Sequence, residues 1–216
     1  MNNTAALWIA IVFAVYACAR YLHHKGLFWE CVAAIVSTPR VSAWLIERSK
    51  RTPYFHITAR DNADEIYMGR WWLFNAYRKD AKDNTLPGSW AWLGLPSIRV
   101  HHIMRADDDG HMHDHPWNAR TIILRGWYRE ERPLSDGDEI PENCTGIMRS
   151  HYDDSRMQFT RTTGYTGPVL FEQYHRISEV SPGGVYTLWF TWRYRGTWGF
   201  LVDGAKVPYR KYLGTE

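Results

Sequence analysis

The chain has 216 residues, enough for one sizeable domain or for one domain with an appendage. Hydrophobic residues make up 45% of it and aromatic residues 15%, which excludes a disordered chain and favours β structure. The net charge is +3 without a long basic run, so we expect no nucleic-acid partner, and three scattered cysteines exclude a disulfide framework.

The first predicted element is an apolar segment, Ala5 to Ala19, with no charged side chain before Arg20. A bilayer crossing needs about 20 residues, a length that the segment reaches if it is counted from Asn3 and continues through Leu22 with Arg20 snorkelling. We therefore predict a transmembrane anchor helix over residues 1–24. Two alternatives stay open: a cleaved signal peptide, although the segment lacks a basic start, and a buried helix.

The charges after this segment set its expected orientation. Two acidic residues are outnumbered by six basic ones, which are Arg20, Lys25, Arg40, Arg48, Lys50 and Arg51. Positive flanks stay on the cytoplasmic side of a membrane. We therefore expect a single-pass membrane protein whose C-terminal domain is cytoplasmic.

Residues 25–53 are predicted to form amphipathic linker helices. The apolar run Leu27 to Val36 contains Glu30 and is too short to span, so it is expected to lie on the membrane surface or against the domain. A second helix is expected to place Val41, Trp44 and Leu45 on one face.

From Tyr54 onward, short runs of aromatic and β-branched residues alternate with turn clusters. The predicted strands are Tyr67 to Phe74, Ile98 to Met104, Thr121 to Leu124, Val169 to Tyr174 and Tyr186 to Trp192. This pattern is typical of a sandwich or barrel, and we expect one β domain over residues 54–216. The polar span Pro133 to Thr163 is expected to form a long loop or an insertion between two halves of the barrel.

The most informative segment is Asp107 to Gly126, which contains His113 and His115. Residues two apart on a strand face the same side, so both imidazoles are expected to project into one interior, with Asp114 pointing away. His175 on a later strand offers a third ligand. Three imidazoles would leave positions open on a bound metal ion for substrate, water or dioxygen.

Other histidines in this region are weaker candidates as ligands. His111 has the same parity as His113 but sits beside Gly110 at a predicted turn. His101 and His102 are adjacent and must face opposite sides of a strand, so we interpret both as structural residues.

The spacing resembles the first motif of the cupin superfamily. That motif has two histidines separated by one residue, followed by a glutamate and then a glycine. The matching residues are His113, His115 and Gly126, while Ala119 occupies the glutamate position. His175 resembles the ligand of the second motif. The resemblance covers about Ser97 to Phe200 and implies a mainly β fold, a cupin double-stranded β-helix or jelly-roll barrel, with a three-His metal site.

A three-His set is also the pattern of the thiol dioxygenases within that superfamily. His113-Asp114-His115-Pro116 is similar to their first motif, and His175-Arg176-Ile177 is similar to the sequence around their third ligand. Where they have a strand-end tyrosine, this chain has Trp192, with Tyr194 nearby. The strings RWWLF, HDHPW and WGF also resemble an uncharacterised cupin group of bacteria and phages.

The resemblance implies a metal-dependent oxygenase acting on a small molecule, and the apolar N-terminal segment adds the expectation that it is membrane-anchored. Iron is the first expectation for the divalent metal, with zinc, nickel, manganese and copper as alternatives. The candidate catalytic residues are Tyr194, Tyr186 and Arg176. The guanidinium groups of Arg105 and Arg176 could bind a substrate carboxylate, although pairing with nearby acidic residues is the simpler role.

Two other functions stay open. One is a non-catalytic cupin module, of phage origin for example, in which the metal holds the fold together or senses a ligand. The other is a metal-free cupin of the sugar-nucleotide epimerase type, in which a histidine acts as a base. A homodimer is also left open by the sequence.

Overall fold

A computed structural model of the chain describes residues 3–59, 62, 64–82, 85–152 and 154–215. The helices are α1 (Asn3–His24), α2 (Phe28–Val36), α3 (Pro39–Ser49) and α4 (Tyr209–Leu213), with a 3-10 turn at Ala91–Leu93. The strands are β1 (Ile57–Thr58), β2 (Ile66–Phe74), β3 (Arg78–Lys79), β4 (Thr85–Leu86), β5 (Ser97–Ile103), β6 (Trp117–Arg125), β7 (Trp127–Pro133), β8 (Gly146–Arg149), β9 (Ser155–Thr162), β10 (Thr166–Val169), β11 (Arg176–Val180), β12 (Val185–Tyr194), β13 (Gly199–Val202) and β14 (Ala205–Pro208). The body after α3 is therefore mainly β, as the turn spacing predicts.

Two antiparallel sheets form this body. The larger has six strands in the order β1-β2-β5-β12-β6-β10, and the smaller has four in the order β11-β7-β9-β8. Strand β12 is central in the larger sheet, paired with β5 on one side and with β6 on the other. Its continuous run of buried residues is typical of a strand that is covered on both faces.

Helices α2 and α3 cover one face of the six-stranded sheet. Ala33, Leu45 and Ile46 pack in one cluster with sheet residues that include Val100 and Ile122. Proline at position 39 suits the first turn of α3, where no backbone N–H is needed. The run that contains Glu30 therefore lies against the domain.

The buried side of α3 does not include Trp44. Its buried residues are Ser42, Leu45, Ile46 and Ser49, which recur at the spacing of one helical face. Trp44 lies off this stripe and its side chain is 63% exposed. Of the three residues expected on one face, Val41 and Leu45 pack against the core and Trp44 remains exposed.

The other face of the six-stranded sheet lies against the four-stranded sheet. Ile103, Ile123 and Val185 of the larger sheet pack with Tyr128 and Ile177 of the smaller one. Alternate residues of a strand share a face, so the interior between the sheets also receives other side chains of the same parity. These include Arg99, His101, Ala119 and Trp189.

Helix α1 projects from the body without being buried in it. Within the described residues it is the one helix long and apolar enough to cross a membrane, and none of its apolar window, within Thr4–His24, is buried. At about 1.5 Å per residue its 22 residues span about 33 Å, close to the thickness of a bilayer core. A signal sequence has the same properties.

The prediction of a long loop at Pro133 to Thr163 is wrong. The span contains β8 and β9, and β9 pairs with β7 from Arg156 to Thr162 and with β8 on its other side. Its strand signal was hidden because two of its buried side chains are Arg156 and Arg161. Burial of these arginines is possible because Glu131 and Glu130 on β7 pair with them at 2.9 Å.

The predicted strand Val169 to Tyr174 is also misplaced. Strand β10 runs from Thr166 to Val169 and pairs with β6, so it ends where the predicted strand begins. The apolar pattern there does not come from strand pairing.

A core substitution tests the layer arrangement. Ile122 is fully buried between the six-stranded sheet and the helices, so Ile122→Ala should lower the free energy of unfolding by about 2–5 kcal/mol. Ile147→Ala on β8, where the side chain is 53% exposed, should change it by less than about 0.5 kcal/mol. Urea unfolding followed by tryptophan fluorescence in one detergent measures both, and equal effects would contradict the packing.

Candidate metal centre

The segment that leads into β6 carries two of the three histidines. His113 exchanges two backbone hydrogen bonds of 2.9 Å with His175, which fixes these segments side by side. The chain is extended here although it is not part of a regular strand. His113 and His115 therefore point to the same side, as predicted from their spacing.

Asp114 points to the opposite side. Its carboxylate is fully buried, and it accepts hydrogen bonds from the Gly199 N–H at 2.7 Å and from Lys206 Nζ at 2.5 Å. Both partners belong to the β13–β14 hairpin. Asp114 thus ties the histidine segment to this hairpin while leaving the imidazole side free of carboxylates from its own strand.

The structure brings His113, His115 and His175 into one cluster. Each offers one ring nitrogen, and these nitrogens lie within 4.8 Å of one another. The Nε2 atoms of His115 and His175 are 2.9 Å apart. Metal–imidazole bonds are about 2.0–2.1 Å long, so one ion can be bound by both nitrogens at this separation. The donor set therefore fits a transition metal.

Glu130 on β7 orients the third histidine. Its Oε1 lies 3.0 Å from His175 Nδ1. A carboxylate only accepts hydrogen bonds, so Nδ1 is the donor and Nε2 is turned towards the cluster as a lone pair. Hydrogen bonding of a ligand's second nitrogen to a carboxylate is characteristic of metal-binding histidines.

Glu130 is itself held ionised by its neighbours. It is 1% exposed, and burial alone would raise the pKa of its carboxyl group. The hydrogen bond from His175 and the guanidinium groups of Arg132 and Arg161, at 3.1 and 2.9 Å, outweigh burial and hold this pKa well below its usual range. The carboxylate is therefore charged over the whole physiological pH range.

The other two histidines are neutral at neutral pH. Desolvation lowers the pKa of His113 to about 4, although Asp107 opposes this shift. Desolvation, and then the neighbouring His175 and His113, hold the pKa of His115 well below its usual range. Neutral imidazole is the form that binds metal ions, so neither of these two side chains needs deprotonation before an ion is bound.

Aromatic rings surround the cluster. The ring of Trp189 lies 5.1 Å from that of His115, and the rings of Phe200 and Trp198 lie 6.0 and 6.1 Å from that of His113. Ala119 is 3% exposed and packs with Val169 and Trp189. The small side chain at the position of the cupin glutamate therefore leaves room for the Trp189 indole.

The three candidate catalytic residues, Arg176, Tyr186 and Tyr194, do not belong to this aromatic shell. Arg176 binds the backbone carbonyl groups of Asp107 and Asp109 and pairs with Glu131 at 3.3 Å. Tyr186 stacks on His102 at 4.0 Å, on the helix-covered side of the sheet. Tyr194 ends β12 and is 59% exposed. Tyr186 and Tyr194 therefore lie away from the histidine cluster, whereas the charge of Arg176 is close enough to His113 to lower its pKa.

The weaker histidine candidates have other partners. The Nδ1 atom of His111 is 2.9 Å from the hydroxyl of Tyr212. His101 is buried and stacks on Trp189 at 5.8 Å. Arg105 forms a bidentate pair with Asp108, the rim pairing that we expected as its simpler role.

Sequence reasoning missed Glu130 and the buried cation Arg99. Glu130 belongs to a strand that was not predicted, and neighbouring Glu131 looks equivalent in the sequence. Arg99 is 2% exposed, and its guanidinium lies 5.1–5.8 Å from four aromatic rings. These rings belong to Tyr54, Trp72, Tyr77 and Trp117. Neither residue has a local signal, because strand pairing alone determines their surroundings.

Comparison with known proteins gives weak matches. No family model and no curated protein matches the chain. A candidate mannose-6-phosphate isomerase from Ralstonia eutropha is 14% identical with a TM-score of 0.31, covering 46% of this chain and 77% of its own. Oxalate decarboxylase from Bacillus subtilis, studied for its Mn(II) centres, is 12% identical with a TM-score of 0.41, covering 80% of this chain and 33% of its own. A DMSP lyase is 13% identical with a TM-score of 0.36, and the match covers 67% of this chain and 56% of the lyase. These values are too low to identify a family, so the chemistry must be inferred from the site.

Removal of the carboxylate behind His175 tests its orienting role. Glu130→Gln should weaken metal binding about 10- to 100-fold, because a second hydrogen-bond partner fixes the ring and raises its basicity. Glu179→Gln on β11 is the control, since Glu179 is half-exposed and pairs with Arg129. Competition with a coloured chelator measures both affinities, and equal affinities would contradict the role. Circular dichroism verifies that both variants are folded.

The stability of the metal-free protein should depend on pH through His113. Its folded-state pKa of about 4 lies below the value of about 6.5 in an unfolded chain. Between these values the unfolded state binds more protons, so the contribution is complete above about pH 6.5 and is lost as the pH falls towards 4. Urea midpoints in chelator at several pH values measure this slope. His113→Gln should reduce it, and an unchanged slope would contradict the assignment.

Proposed function

We propose that this chain is a membrane-anchored, metal-dependent protein of cupin type, and that it acts as an oxygenase on a small molecule. The observation that carries the proposal is the cluster of His113, His115 and His175, with Glu130 hydrogen-bonded behind one of them. A cluster of imidazoles with a buried carboxylate at its back is characteristic of metal sites.

Iron is the proposed metal, because three imidazoles leave coordination positions open and imidazole suits iron. Zinc, nickel, manganese and copper are compatible with the same donors. When bound, a redox-active divalent ion would supply a template on which dioxygen and substrate meet, together with electronic activation of both.

The surrounding residues would bind and shield the reactants. The side chain of His113 is 18% exposed, which leaves one side of the cluster within reach of solvent. Trp189, Trp198 and Phe200 cover other sides with apolar surface, which keeps water away from a reacting centre.

The interior cation Arg99 supports a substrate with a negative group. Its buried Nε has no hydrogen-bond partner within the described part of the chain. The positive charge of Arg99 is close enough to lower the pKa of His115, after the larger effects of desolvation and of the neighbouring histidines. A carboxylate on the substrate would offset the cost of burying this guanidinium.

The proposed reaction is a dioxygenation. Both atoms of dioxygen would end in one substrate molecule, and the substrate itself would supply all four electrons. The reaction therefore needs no further reductant. Arg176 would have a positioning role, because its hydrogen bonds hold the loop that leads to His113.

Helix α1 supports the membrane attachment. It is unburied, apolar and long enough to cross a bilayer, and it is followed by basic residues. We propose a single-pass topology in which the metal-binding domain is cytoplasmic.

A structural role for the metal is the second candidate. Two ligands precede β6 and the third precedes β11, so one ion would cross-link segments that belong to different sheets. Such a link stabilises a fold without any catalysis.

Metal content tests the first step. Protein purified from cells without added metal should contain a stoichiometric transition metal, and His113→Ala should lose it because one of three ligands is removed. His151→Ala, an exposed histidine, is the matched control. Elemental analysis of all three proteins gives the answer, and absence of metal from the wild type would overturn the proposal.

Oxygen uptake distinguishes the two candidates. The iron-loaded oxygenase should consume dioxygen with an anionic thiol or carboxylic acid, and His113→Ala should not. A melting temperature that falls in His113→Ala, together with no oxygen uptake by the wild type on any such substrate, would instead favour the structural role.

A further inference from the structure

An exposed apolar loop lies at one end of the six-stranded sheet. Residues 88–96 lead into β5, and the side chains of Trp90, Trp92 and Leu93 are 51%, 79% and 50% exposed. Asn75 holds the loop in place, since its Oδ1 accepts the Trp90 N–H at 2.9 Å. The loop is therefore ordered with large apolar side chains in water, which is unfavourable unless another surface covers them.

Strand register places further exposed apolar residues at the same end. Phe74, the last residue of β2, pairs with Ile98, the second residue of β5. Tyr194, the last residue of β12, pairs with Trp117 at the start of β6. We call this surface the aromatic end, and it consists of Phe74, Trp90, Trp92, Leu93, Leu95 and Tyr194, which are 38–79% exposed.

Helix α1 joins the body beside this surface. The turn after α1 leads directly into α2, whose Trp29 packs at 5.2 Å against Phe190 and at 6.3 Å against Trp192. These residues precede Tyr194 on β12. A bilayer that contains α1 would therefore lie next to the aromatic end.

The aromatic end also carries exposed positive charge. Arg78 follows β2 closely, and Arg193 and Arg195 flank Tyr194. Tryptophan and tyrosine concentrate at membrane–water interfaces, and arginine and lysine near a membrane are attracted to anionic headgroups. The two side-chain classes together fit the surface of an anionic lipid bilayer.

We propose that the aromatic end rests on the anionic lipid surface of the membrane that α1 enters, with Trp90, Trp92 and Leu93 at headgroup level. The inference rests on the membrane attachment proposed above and adds a second contact. Two contacts, α1 and the loop, fix the orientation of the domain relative to the bilayer, whereas α1 alone leaves it free to tumble.

A site-specific fluorophore tests this contact in the full chain. The free cysteines Cys18, Cys31 and Cys144 are replaced by serine, and an NBD label is attached at Trp92→Cys. The protein is assembled into nanodiscs of phosphatidylcholine and phosphatidylglycerol, in which both leaflets are open to water. Quenching by nitroxide-bearing lipid and by aqueous iodide then reports the depth of the label.

The matched control is a label at Ile147→Cys on β8, a position that is 53% exposed on the other sheet. We expect lipid nitroxide to quench the label at 92 several-fold more than the label at 147, and iodide to show the reverse. Equal iodide quenching at both positions would overturn the inference. Protection of position 92 from both quenchers would also overturn it, because a protein partner would then cover the loop.

Charge reversal adds a second readout. Arg193→Glu with Arg195→Glu should return iodide access to the label at 92, whereas Arg125→Glu with Arg129→Glu, at one exposed and one part-buried position away from the loop, should not. If the wild type fails to assemble into nanodiscs, membrane attachment fails together with this inference. If it assembles and position 92 stays accessible to iodide, this inference alone fails.

Discussion

The carboxylate of Glu130 is the group on which the arrangement of the histidines depends. The buried carboxylate accepts a hydrogen bond from His175 Nδ1 and pairs with the guanidinium groups of Arg132 and Arg161, all at 3.1 Å or less. A buried carboxylate is costly unless it is paired, so Arg132 and Arg161 are needed for Glu130 to remain charged. Its charge then fixes the tautomer of His175 and the direction of its free nitrogen. The smaller sheet thus orients His175 through the ion pairs of Glu130.

The positions of the other two histidines, His113 and His115, depend on backbone geometry. The hydrogen bonds between His113 and His175 align the two segments, and Asp114 attaches the first segment to the β13–β14 hairpin. Strand pairing explains the position of Glu130, because it pairs with Ile177, two residues beyond His175. The cluster is therefore assembled from both sheets, and its geometry depends on their packing through Ile103, Ile123 and Tyr128.

The two faces of the six-stranded sheet serve different purposes. One is covered by α2 and α3 in an apolar cluster. The other carries Arg99, His101 and Trp189 beside the histidine cluster, which is an unusual set of charged and aromatic groups for an interior. The helices bury the outer face, and the polar groups lie on the inner one. They also connect the body to α1.

Local patterns in the sequence determined the parity of His113 and His115, the outward direction of Asp114, the main strands of the larger sheet and the apolar α1. Each depends on residues that are close in the chain, where a period of two or a continuous apolar run is visible. The tertiary structure alone decided that β9 is a strand, that Glu130 rather than Glu131 contacts His175, and that Tyr186 faces the helices. These features depend on which strands pair and in which register, and the partners of a buried charge are distant in sequence. Periodicity therefore indicated the shared side of His113 and His115, while only the packing of the two sheets revealed the carboxylate that orients His175.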